Sequence, residues 1–149
     1  MLSQLLILLF GLVLLFYWFR HNCHTLLRTA ATGERARRVA EANELRFPYV
    51  LEQLQTQAPA EELETLDRLL ERDYEVLTSL LSYTSGMRLR DQTMELRILM
   101  LDFKLQQRWF AATRKYLTGA ARQSLEERSH ILAHFANTMS TRSAAVSRA

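Results

Sequence analysis

From Leu2 to Phe19 the chain reads LSQLLILLFGLVLLFYWF, eighteen residues without a charge. At about 1.5 Å of rise per residue this is roughly 27 Å of helix, close to the thickness of a hydrocarbon core. Eight Leu, Ile7, Val13 and three Phe fill the run. Each favours insertion by about 0.3–0.6 kcal/mol, and nothing charged opposes them. Residues 1–20 therefore read as a single transmembrane anchor. Phe16, Tyr17, Trp18, Phe19 and Arg20 are suited to the membrane interface at its end.

A cleaved signal peptide fits less well. No cationic side chain precedes the run, and the residues after Phe19 are not small. A lipoprotein signal would want small residues before Cys23, where His21 and Asn22 stand. Arg20, Arg28, Arg35, Arg37 and Arg38 all follow the span. The positive-inside rule then puts Met1 outside and the rest in the cytoplasm, as in a bacterial inner membrane. A reducing compartment also suits a lone Cys, which excludes a disulfide framework and a Cys-based zinc site.

The remainder is poor in turn residues. The 149 residues hold four Gly and two Pro, against about ten and seven on average usage. That excludes the many tight turns of a sandwich or barrel and predicts an all-α fold. The expectation is an anchor followed by a small bundle built on a long antiparallel helical hairpin. Residues 21–33 form a juxtamembrane connector, 34–139 the bundle and 140–149 a frayed, flexible tail. Helices are expected over 34–47, 49–57, 60–83, 87–117 and 122–138, punctuated by Gly33, Pro48, Pro59, Gly86 and Gly119.

Two of these carry apolar stripes. Leu63, Leu66, Leu70, Tyr74, Leu77 and Leu81 follow helical steps of three and four. The segment 87–117 has two: Met94, Ile98, Leu101, Leu105, Trp109, Ala112 and Tyr116, and then Leu96, Leu99, Phe103, Phe110 and Leu117. Two apolar faces suggest the central helix of the bundle. Residues 47–86 carry a net charge of −6 and residues 87–122 a net of +5. The simplest reading packs these two segments against each other.

Chemistry-bearing motifs are sparse. Glu127, His130, His134 and Asn137 share a helix face, a spacing that metal sites in bundles use. Glu127, His130 and His134 are thus candidate metal or haem ligands, although a second Glu-x-x-His motif for a di-iron centre is missing. The commoner meaning of such a face is a solvated side of an amphipathic helix. His21, Cys23 and His24 are read as polar interface residues flanking the span, the functional alternatives being a metal site, a cofactor ligand or palmitoylation of Cys23. No phosphate loop, nucleophile elbow or H-E-x-x-H occurs. Neither catalysis nor a cofactor is expected. Arg88, Arg90 and Arg97 do not make a helix-turn-helix, because the flanking helices are too long, so nucleic acid is not expected either.

The reading is a non-catalytic single-pass membrane protein. Its partners are the lipid bilayer and other membrane-complex subunits or itself, in an accessory, assembly or scaffold role. Met100, Phe103 and Phe110 are candidate partner-binding residues. The alternatives are a metal- or haem-binding bundle and a membrane-surface sensor.

Overall fold

The apolar repeats become helices throughout the computed structural model, which describes residues 1–31, 34–84 and 94–148. The expected breaks at Gly33 and Gly86, the bases Arg88 and Arg90, and the side chains of Cys23 and His24 lie outside the described residues. Among those described there is no strand, and the helices are α1 (Leu2–Ala31), α2 (Glu34–Ala42), α3 (Phe47–Gln55), α4 (Leu63–Thr84), α5 (Met94–Thr113) and α6 (Thr118–Arg148). A single 3-10 turn, Ala60–Glu62, leads into α4.

The described breaks are made differently from those expected. Helix α2 stops at Ala42, well before Pro48. The Leu45 N–H donates to the Ala40 carbonyl at 2.8 Å, with Glu44 at φ 54° between them. Helix α3 ends the same way: the Ala58 N–H donates to the Gln53 carbonyl at 3.0 Å around Gln57 at φ 57°. Both are Schellman closures, and Leu45 and Ala58 bury the apolar side chain such closures favour. Pro48 begins α3 rather than ending α2, since its missing N–H is harmless in a first turn. The α3 N-terminus has no side-chain cap of its own. Asp73 reaches it from α4 and accepts the N–H groups of Arg46 and Phe47, each at 2.6 Å. Burial pushes the Asp73 carboxyl above its ordinary value, and these two bonds partly oppose that.

The centre of the bundle is α6, not the segment 87–117. Helices α1 to α5 all pack on α6. Residues Ala121, Leu125, Ile131, Leu132, Ala133, Phe135 and Ala136 are buried over a face that takes up more than half of its circumference. Ala and Ser among the larger side chains let neighbours approach from several directions. Gly119 lies in the first turn of α6 instead of ending α5. The helix also runs on through 140–148, so the expected frayed stretch is helical there. Likewise α1 continues without a break through the connector as far as Ala31.

Helices α4 and α5 are antiparallel, each packs on α6, and they meet each other through their side chains. Tyr74 stacks on Phe103 at 4.2 Å, Gln107 donates to Glu71 at 2.8 Å, and Arg114 lies 3.6 Å from Glu64. The α4 stripe packs inward as its spacing requires. Leu63, Leu66, Leu70, Leu77 and Leu81 are buried and Tyr74 is half-buried.

Candidate functional site

Helix α1 holds a 21-residue stretch, Leu2–Asn22, long and apolar enough to cross a membrane, and none of it is buried. Its large apolar side chains from Leu2 to Phe19 are 49–82% exposed. The helix joins the bundle at its charged foot. The Arg20 guanidinium donates to the Glu127 carboxylate at 2.8 Å, and Gln123 of α6 donates to the same carboxylate at 3.3 Å. Glu127 is 7% exposed, so this contact is a sheltered link between the apolar helix and the bundle.

Beside that link Phe16, Phe19 and Arg20 share a crevice of about 90 Å³ with Ile98, Leu101 and Leu105 of α5. This side of α5 overturns an expectation. Of the three candidate partner-binding residues, Phe103 and Phe110 are 0% and 1% exposed and Met100 is half-buried against the core. They face α4 and α6 as core side chains. The other stripe is the exposed one: Met94, Ile98, Leu101, Leu105 and Trp109. A helix with two apolar faces offered either for the core. The aromatic pair Tyr74–Phe103 and the buried Leu96, Leu99 and Phe110 identify which face α6 covers.

On the candidate ligand face of α6 Glu127 is buried while His130, His134 and Asn137 are half-buried, and Glu127 and the two histidines point to different partners. Glu127 holds Arg20, the His130 Nε2 lies 3.7 Å from Glu126, and the His134 Nε2 lies 3.1 Å from Glu95 of α5. Among the described residues no three His, Cys, Asp or Glu side chains come together as a metal would require.

Sequence reasoning missed Arg128. It sits at 0% exposure in the bundle core, with Nη1 donating to Asp67 of α4 and its guanidinium 4.5 Å above the Phe103 ring. Burial lowers its pKa from the usual guanidinium range, while Asp67 and Glu71 oppose the shift. Among the described residues its Nε and Nη2 have no hydrogen-bond partner, nor do the amide atoms of the buried Gln106 on α5. The available sign was the acidic run 61–75 facing too few bases of its own. A wide surface groove between α2 and α3 is lined by mixed charges, among them Arg37, Glu41, Glu44 and Glu52.

No protein-family model, curated protein or solved structure matches the chain.

Proposed function

We propose that this is a non-catalytic, single-pass membrane protein whose helical domain holds other proteins at the membrane, as an accessory or assembly subunit of a larger complex or as a scaffold. The observation that carries the reading is the exposed apolar length of α1. Such a surface needs lipid or another apolar surface to cover it. The bases that follow the span, Arg20 to Arg38, favour a cytoplasmic domain with Met1 outside.

The Arg20–Glu127 pair supports a fixed rather than a tethered domain. It ties the end of the span directly to the bundle's central helix. A domain held this way presents its remaining surface in a set orientation to whatever shares the membrane.

Cross-linking in native membranes followed by affinity purification tests the role. A reproducible set of co-purifying membrane proteins, or a defined self-associated species, is expected. A strictly monomeric chain with no cross-linked neighbour overturns it. A reporter fused after residue 149 should be active only in the cytoplasm, and an external signal reverses the topology.

A further inference from the structure

The exposed stripe of α5 is an unusual surface to leave open. Met94, Ile98, Leu101, Leu105 and Trp109 lie on one side of the helix, and Met94 and Leu101 are 78% and 71% exposed. Together they expose on the order of several hundred Å² of apolar surface, the size that marks an interaction or membrane site.

Three observations bear on what covers it. First, the stripe is continuous with the foot of α1. Ile98, Leu101 and Leu105 line the same crevice as Phe16 and Phe19. A bilayer that holds α1 up to its aromatic end comes level with α5. Second, the edge of the stripe toward α4 is basic, and there the Lys104 ammonium lies 4.9 Å from the centroid of the Tyr74 ring and 3.4 Å from the Gln107 Oε1. Arg97, Lys104 and Arg108 are exposed and spaced seven and four residues apart, so they form one row beside the apolar side chains. Third, the acids of α5 lie on the other edge. Glu95 is held against His134, and Asp102 lines the crevice beside Arg20. Apolar side chains including a Trp, flanked by Arg and Lys whose stems can snorkel to headgroups, are the pattern of a helix lying in a membrane interface.

We propose that α5 is a second membrane contact. Its Met94–Trp109 face rests in the interface of the bilayer that α1 spans, with Arg97, Lys104 and Arg108 on anionic headgroups. The proposal rests on the anchored reading above. It gives the bundle two points of attachment, so its tilt on the membrane is fixed and its partner surfaces lie on α2, α3 and α4.

The chain has two Trp, Trp18 in the span and Trp109 on the stripe, which makes the two readings separable. The full-length Trp18→Phe and Trp109→Phe chains are reconstituted in phosphatidylcholine–phosphatidylglycerol vesicles whose acyl chains carry bromine near the headgroup end. Trp109 emission is expected to be blue-shifted and to lose about half its intensity, as for a side chain at the headgroup–acyl boundary. Arg97→Gln, Lys104→Gln and Arg108→Gln combined should weaken that quenching in anionic vesicles and bring it to the level seen in pure phosphatidylcholine. Solvent-like, unquenched Trp109 beside a quenched Trp18 overturns the α5 contact and leaves the anchor standing. Unquenched Trp18 overturns the anchor itself. A blue-shifted Trp109 that bromolipid does not quench means a second copy or another protein covers the stripe, and that also overturns the proposal.

Discussion

Removing Asp67 should cost more than removing Arg128, although the two form one ion pair. Asp67→Ala leaves a guanidinium at 0% exposure whose Nε and Nη2 already lack partners among the described residues. The Phe103 ring and the more distant Glu71 remain as its only named compensation. Stranding one member of a buried pair costs about 3–5 kcal/mol. Arg128→Met removes the charge and keeps bulk against Phe103. The Asp67 carboxylate left behind is 18% exposed and can turn toward water. That change should cost about 1–2 kcal/mol, chiefly the lost charged hydrogen bond. Against a typical total of about 5–15 kcal/mol the first loss is severe. At about 4 °C per kcal/mol it corresponds to a fall in Tm of roughly 12–20 °C. The assay is denaturation of the full-length chain in detergent, followed by helical circular dichroism, for both single variants and the double. The double variant should be more stable than Asp67→Ala alone, because its second change removes the stranded charge. An Arg128→Met loss equal to that of Asp67→Ala, with no recovery in the double, would refute the reasoning.

Three further outcomes follow from the packing. Glu44→Gly and Gln57→Gly place the residue best suited to positive φ at the two Schellman closures; each should stabilise by about 0.5–1 kcal/mol, read as a rise in denaturation midpoint. Phe103→Ala should cost about 3–5 kcal/mol, whereas Leu101→Gln, two residues earlier on the exposed stripe, should stay within about 0.5 kcal/mol in detergent; equal losses would mean the faces of α5 are assigned wrongly. Gln106→Met replaces a buried amide without partners by an apolar side chain of similar length; a gain of about 1 kcal/mol is expected, and a loss would show that the amide is satisfied.

The elements with strong local signals were legible in advance. The α4 stripe has a single apolar face, so its inward side follows from spacing alone. Helix α5 has two such faces, and spacing could not rank them, so Phe103 and Phe110 were open to misreading as a partner surface. Helix α6 was understated for the opposite reason. Its Ala and Ser are weakly hydrophobic, yet their small size is what lets five helices close on it. The carboxylate and imidazoles of Glu127, His130 and His134 share a face, but each meets a different partner from α1, α5 or its own helix.

By itself, the sequence determined the helical class and the apolar length of α1, because both follow from residue types read along one segment. The scarcity of Gly and Pro limits turns, and an uncharged run of this length has few ways to be covered. Tertiary structure alone decided which helix lies at the centre and where Arg128 finds its carboxylate. It also decided which side of α5 stays open beside the foot of α1. Those outcomes depend on the summed fit of side chains from segments distant in the chain, and no local pattern records that sum.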